Sequence, residues 1–279
     1  MSPDADAQKP YVLGNDPREL ERLDRQAANI ERPTRMILQA AGLASGQRVL
    51  DLGTGLGHVA RMAGELVGPQ GSVVGVDGSG DVLEVAARRT VAAGERHVSF
   101  VEDDVRTFRT QEPFDAMTGR LILFHLAKPA SVVRHHLANL RRNGTFIAID
   151  FDLGSCRAEP AVPMIEEHFG WVMRAFAAAG AAPCIGARLG PILREVGLRD
   201  VTTFGVQGYI QPGDPAAGEL LGGVIRSLAA AIVGHGIATA EQLRLDTVEA
   251  RITDALARAV AVLLPPTVVG AWGRTPLEP

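Results

Sequence analysis

Apolar residues along this chain follow two alternating rhythms. Short dense runs at 49–52, 72–76, 97–101, 113–117 and 145–151 read as buried strands. Between them apolar residues recur at helical spacing: Val59, Met62, Ala63, Leu66 and Val67 predict a helix over 58–67. Further helices are predicted over 81–93, opened by Asp81 and closed by Gly94, and over 129–142, closed by Asn143-Gly144. Such alternation predicts an α/β fold with a largely parallel sheet.

The flanks are more helical. Leu20, Leu23 and Ala27 share one face of a predicted helix over 19–28, and a second runs over 33–41 from Pro33 to the stop at Gly42. After residue 152 the alternation loosens. Ile165, Phe169, Val172, Met173 and Phe176 stripe a helix over 163–179; a helix over 189–196 then leads into a strand over 200–206. Residues 213–264 carry two apolar stripes, one from Leu220 to Val233 and one from Leu243 to Leu263, the second opposite a charged face that includes Glu241, Arg244, Glu249, Arg251 and Arg258. A last strand is predicted over 266–273. Stripes of that length do not stay exposed, so 213–264 is expected to form a lid with 19–41 and 163–179 over the strands' carboxyl ends, or a homodimer surface. The expected organisation is an N-terminal helical cap at 1–44, a core at 45–212 and 265–279, and a helical insertion at 213–264.

Composition narrows the function classes. The chain has 279 residues, 46% hydrophobic and 22% charged, with a net charge of −4. No strongly basic segment is present, so no nucleic-acid partner is expected. Cys156 and Cys184 show no metal or redox spacing, and a reduced, cytoplasmic setting is expected. No apolar run reaches membrane-spanning length, the start has no signal-peptide character, and no membrane partner is expected.

The chemistry concentrates in Asp51-Leu-Gly-Thr-Gly-Leu-Gly57. A strand, a glycine turn, a helix and a second strand ending in an acid, Asp77, is the order of a dinucleotide-type fold. The glycines let backbone approach a ligand, and the acid can accept both hydroxyls of a ribose. The run is G-T-G-L-G, with His58 where a dehydrogenase has its third glycine. The acid opening the motif suits an ammonium-bearing ligand better than a diphosphate. A glycine-rich turn of some other α/β protein is the alternative.

The motif resembles that of class I S-adenosylmethionine-dependent methyltransferases, D/E-x-G-x-G-x-G. The phrase Tyr11-Val-Leu-Gly, then Glu-Leu-Glu-Arg-Leu and Gln26, is similar to a bacterial small-molecule subgroup related to the ubiquinone/menaquinone-biosynthesis type. The resemblance implies a Rossmann-like, seven-stranded, mostly parallel sheet with an antiparallel last strand and a helical cap. It implies S-adenosyl-L-methionine as cofactor, held by Tyr11, Gln26, Asp51, Gly53, Thr54, Gly55, Asp77, Gly78, Asp104, Val105, Gly119 and Arg120. Asp77 would take the ribose, Asp104 and Val105 the adenine, with Asp103 open in place of Asp104, and Tyr11 and Gln26 would approach the methionine end. A Tyr11 that packs the helix pair and a solvated Gln26 are the alternative.

A methyl acceptor would meet the donor near Gly119, Arg120 and His125. Histidine is available in neutral form near pH 7, so His125 is the first candidate base; a helix-capping histidine is the alternative. Glu166, Glu167, His168 and Asp152 rank second. His135 and His136 read as surface or packing residues. Asp150 and Asp152 alone do not make a metal constellation, and no metal is expected. Gly119-Arg120, where enzymes acting on nucleic acids and proteins carry an Asn-Pro-Pro-Tyr-type run, favours a small-molecule acceptor in bacterial specialised metabolism. The alternative function is a protein of the same fold that binds the cofactor and steers a non-methylating reaction, or only binds it.

Overall fold

A computed structural model describes residues 17–277. In chain order the elements are α1 (Pro17–Asn29), α2 (Glu31–Ala40), β1 (Arg48–Leu52), α3 (His58–Val67), β2 (Ser72–Asp77), α4 (Gly80–Ala92), β3 (Val98–Glu102), β4 (Phe114–Arg120), α5 (Pro129–His136) and β5 (Leu140–Asp152). There follow β6 (Arg157–Glu159), α6 (Pro163–Ala178), α7 (Leu189–Glu195), β7 (Arg199–Val206), α8 (Pro215–Gly234), α9 (Ala240–Leu243), α10 (Val248–Ala259), β8 (Val262–Leu264) and β9 (Thr267–Arg274). They fall into two compact units. One holds the described residues up to Ala27 with Arg157–Gly180 and Tyr209–Leu263; the other holds Ala28–Cys156, Ala181–Gly208 and the chain from Leu264 onward.

The second unit is built on a seven-stranded sheet in the order β3-β2-β1-β4-β5-β9-β7. β1 to β5 run parallel, and β9 lies antiparallel between β5 and β7. This is the Rossmann-like mixed sheet, with its reversed last strand, that the sequence leads one to expect. Val49, Ile147 and Ile149 on one sheet face pack with Ile37, Leu38, Val59 and Ala63 of α2 and α3. Gly270 of β9 lies directly beneath Ile37, with no room for a Cβ. Thus α2 covers the sheet of the second unit, while α1 through Ala27 belongs to the first.

The predicted helix over 129–142 ends early. α5 stops at His136, a 3₁₀ turn takes Leu137–Asn139, and β5 begins at Leu140. Register passes from Phe114↔Leu140 to Ala116↔Thr145, and Asn143 at φ 57° absorbs the extra residues. Thr275 anchors the bulge: its Oγ1 donates to the Arg141 carbonyl at 2.7 Å and accepts from the Gly144 N–H at 3.0 Å. Such a contact, 130-odd residues away in sequence, leaves no trace in local apolar spacing.

In the first unit α6, α8 and α10 pack together, and β6 pairs with β8 in a two-stranded sheet. Gly218 and Gly222 let α8 approach the α10 backbone at Glu249, whose carboxylate accepts from Arg226 at 3.0 Å. α8 corrects one expectation: by length and composition this 20-residue helix could cross a membrane, its most apolar 18-residue stretch having a mean hydropathy of 1.5. Glu219 and Arg226 interrupt the apolar run, but an average over the helix tolerates two charges. In the structure its Leu221, Ile225, Leu228 and Ile232 are buried.

Candidate cofactor site

Strand order reverses between β1 and β4, and open parallel sheets bind ligands outside the carboxyl ends of their strands at such a point. Leu52 and Gly119 stand side by side there. The turn leaving β1 places Gly53, Gly55 and Gly57 at φ 65°, 50° and 77°, a region that favours glycine. The Asp77 carboxylate locks this turn. It accepts from the Gly55 N–H at 2.9 Å and the Ser79 N–H at 3.1 Å, tying the glycine turn to the start of α4. Asp77 is half-buried and Gly78 is exposed.

Beneath the turn lies a polar cluster. Asp51 is 1% exposed and stands in register with Thr118 of β4. Burial pushes its carboxyl up to about 7, against the opposing pull of the nearby Thr54 hydroxyl and the Arg120 charge. Burial also lowers the Arg120 guanidinium, to about 10. Arg120 donates to the Thr34 hydroxyl of α2 at 3.2 Å. Asp51 Oδ2, Thr54 Oγ1 and Thr118 Oγ1 are buried without a hydrogen-bond partner. Unsatisfied buried polar atoms are costly, so this concentration of three marks a place shaped for a polar ligand.

The acidic loop after β3 is held from behind. The Asp103 N–H donates to the Asp77 carbonyl at 3.0 Å. The Asp104 carboxylate is taken by Arg106 at 2.6 Å, which holds it below the usual carboxylate range. Two residues shape this loop: His136, read from the sequence as a surface or packing residue, and Asn139, which the sequence did not single out. His136, fully buried, donates from Nε2 to the Val105 carbonyl at 2.6 Å while its Nδ1 accepts from Asn139 at 3.0 Å. Asn139 also donates to the Phe108 carbonyl at 3.1 Å. Burial lowers His136 to about 4, so the neutral ring makes these bonds. Nothing in the spacing of α5 distinguishes His136 from its exposed-face neighbours.

Beyond β4, Ile122 lies over both Gly53 and Gly119; a Cβ on these glycines would come within 2.8 and 2.9 Å of it. Leu121 before it adopts φ 57°, a strained conformation for a bulky residue and one that concentrates at functional sites. His125 ends the 3₁₀ turn Leu123–His125, half-buried, its ring edge-on to Phe124 at 5.0 Å. The turn is anchored by Asp150 of β5, whose Oδ2 accepts from the Phe124 N–H at 3.1 Å. Asp152 accepts from the Gly154 N–H at 3.1 Å.

Asp150 carries a pH prediction. It is fully buried, Oδ1 has no partner, and burial raises its carboxyl to about 7. Below about pH 4 both folded and unfolded chains hold the proton. Between about pH 4 and 7 the unfolded chain releases it and the folded chain does not, so stability falls as pH rises, by up to about 4 kcal/mol in all, and levels off above 7. Asp150→Asn removes this penalty. Its stability relative to the parent chain, read by urea denaturation, should grow from pH 4 to pH 7. A difference that does not change with pH would show that Asp150 titrates normally.

A family model described as a methyltransferase domain matches residues 43–197, more than half of the chain. The chain belongs to this methyltransferase-domain family. The matched domain spans the glycine turn, Asp77, the acidic loop and the 3₁₀ turn with His125. Over 119 residues the chain is 30% identical to the ubiquinone/menaquinone biosynthesis C-methyltransferase UbiE of Pseudomonas paraeruginosa. That match covers 42% of this chain and 46% of UbiE, so the chain spans about half the length of the curated relatives it matches. Among solved structures, the YcgJ protein of Bacillus subtilis superposes with a TM-score of 0.57 at 16% identity, over 88% of this chain and 99% of its own. A SAM-dependent methyltransferase of Aquifex aeolicus superposes at 0.51 and 19% identity, over 71% and 93%. These likenesses establish the fold.

The residues of the methyltransferase domain fit S-adenosylmethionine. Asp77 keeps lone pairs beyond its two backbone bonds, as ribose hydroxyls require. Asp51 and Arg120 match in sign the ammonium and carboxylate of a methionine end. The structure gathers Asp51, Gly53, Thr54, Gly55, Asp77, Gly78, Gly119 and Arg120 around the β1–β4 switch point, with Asp104 and Val105 on the loop after neighbouring β3. Gln26 lies in the first unit, its Oε1 accepting from Arg22 at 3.1 Å. Tyr11 lies outside the described residues. Glu166, Glu167 and His168 are on α6 in the first unit. Among the described residues no group of three or more His, Cys, Asp or Glu is placed to hold a metal ion.

Proposed function

We propose that this chain transfers a methyl group from S-adenosylmethionine to a small-molecule acceptor, at oxygen, nitrogen or carbon. The observation that carries the reading is the glycine turn locked by Asp77 at the switch point, above unpartnered Asp51, Thr54 and Thr118. Bound S-adenosylmethionine supplies an activated methyl on a sulfonium, so the protein's work is positioning and shielding from water. Asp77 would hold the ribose and Asp104 with Val105 the adenine. Asp51 and Arg120 would orient the methionine end. Gly119 and Ile122 would shape the approach to the methyl, and His125 would take a proton from the acceptor or anchor it by a hydrogen bond.

Arg120 after Gly119 and a net charge of −4 support a small acceptor over a nucleic acid. The test is incubation with methyl-labelled cofactor and a panel of phenols, amines and activated-methylene compounds. Label in a product supports transfer. A product formed without label or cofactor consumption would replace this reading with a non-methylating one on the same fold.

A further inference from the structure

The first unit holds a second polar cluster that the methyl-transfer reading leaves unused. His168 of α6 is 0% exposed, and neither ring nitrogen makes a hydrogen bond. The Met164 carbonyl one turn back is near, yet no bond forms to it. The ring stacks on Trp171 at 4.4 Å between centroids. Across the seam, Arg251 of α10 has Nη1 buried without a partner, and its Nη2 meets only the Met164 sulfur at 3.8 Å. Among the described residues no carboxylate lies within ion-pair distance of Arg251. Met164, His168 and Trp171, at i, i+4 and i+7, form one face of α6.

Two polar side chains from different helices thus have buried nitrogens left unsatisfied, with the charges of Glu167 and Arg244 close enough to act on them. An imidazole with both nitrogens unpartnered and a guanidinium with Nη1 buried and unpartnered each cost free energy. Their charges define what would satisfy them. Burial and the Arg251 charge lower the His168 pKa, so the ring is a neutral donor and acceptor. Arg251 contributes one positive charge in a fork that matches a planar carboxylate. With Arg244 and Glu167 offsetting one another, Arg251 leaves one net positive charge, and a phosphate dianion would leave excess negative charge beside buried apolar residues. The neighbours Ile165, Trp171 and Ile252 are buried and apolar, which asks for an apolar body behind the acid. Arg251 is half-buried and reaches the surface; the sulfur contact it would give up is weak.

We propose that the seam between α6 and α10 binds a small organic acid, its carboxylate on Arg251 and His168 and its apolar body against Trp171. The site is independent of the methyl-transfer reading, and its test reads binding alone, so either can fail without the other.

Trp171 and Trp272 are the two tryptophans of the chain, so a full-length Trp272→Phe protein reports from Trp171 alone. Benzoate, phenylacetate and 3-phenylpropanoate are titrated against their neutral amides. The acids should quench Trp171 fluorescence saturably and raise Tm, while the amides do neither. Arg251→Met should weaken acid binding at least tenfold, Arg251→Lys by less, because the charge remains without the fork. Arg251→Gln replaces the Met variant if that one fails to fold. No saturable quenching by any of the acids up to roughly 10 mM, weaker than a single desolvated ion pair should bind, overturns the proposal. So does equal binding of acids and amides, or binding unchanged in a folded Arg251→Met protein.

Discussion

Asp77→Ala is expected to weaken S-adenosylmethionine binding by roughly 2–4 kcal/mol, the worth of two hydrogen bonds to a charged group. The structure sharpens this expectation. Asp77 does two jobs through one carboxylate: it would receive the ribose, and it already accepts the Gly55 and Ser79 N–H groups that hold the glycine turn against α4. Alanine therefore removes a ligand contact and leaves the Gly55 N–H without its acceptor, so thermal stability without ligand should fall as well. Asp77→Asn separates the two jobs. Its amide oxygen can keep one backbone bond, while the charge is lost, so affinity should fall with less loss of stability. Calorimetric titration reads the first quantity and thermal melting the second. Affinity unchanged in a folded Asp77→Ala protein would remove Asp77 from the site, and tight NADH binding by the parent chain would overturn the cofactor itself.

His125→Ala should lower turnover by roughly 10²-fold or more if the imidazole removes a proton from the acceptor. The placement supports testing it first among the histidines. His136 is fully buried and committed to the Val105 carbonyl, and His135 bonds the Phe108 carbonyl at 3.1 Å, so both serve the acidic loop. His125 sits half-buried at the end of a turn that follows β4, on the side of the sheet's carboxyl ends, and that Asp150 anchors. A base leaves a mark that a packing residue does not: the acidic limb of the kcat/KM profile should flatten in His125→Ala. His125→Gln, which can hydrogen-bond but cannot take up a proton, should restore substrate affinity without restoring that limb. Normal turnover by a folded alanine variant would return His125 to a structural role.

How much of this was legible beforehand depends on the range of the interactions involved. The succession of core strands along the chain, the glycine turn and the acid at the end of β2 could be read from the sequence because each is a local statement. Buried parallel strands need continuous apolar runs, the turn needs residues that tolerate positive φ, and Asp77 directly follows the apolar run of its strand. Helices α8 and α10 were visible as stripes for the same reason, but the expected helix does not reach Leu264: α10 stops at Ala259 and Val262–Leu264 form β8.

What tertiary structure alone decided are the contacts between residues far apart in sequence. Nothing within 129–142 says that α5 must stop at His136, because Thr275 and the pairing with β4 draw Leu140 and its neighbours into a strand. Nor does the spacing of α5 reveal that His136 and Asn139 clasp a loop about thirty residues earlier. Asp150 read as half of an incomplete metal pair until its carboxylate was seen bonded to the Phe124 N–H. Arg251 sat on the charged face of its helix in projection, and only the packing of α6 across from it leaves Nη1 buried and unpartnered. Periodicity reports which face of an element avoids water; which groups meet across that face is settled by the packing of the whole chain.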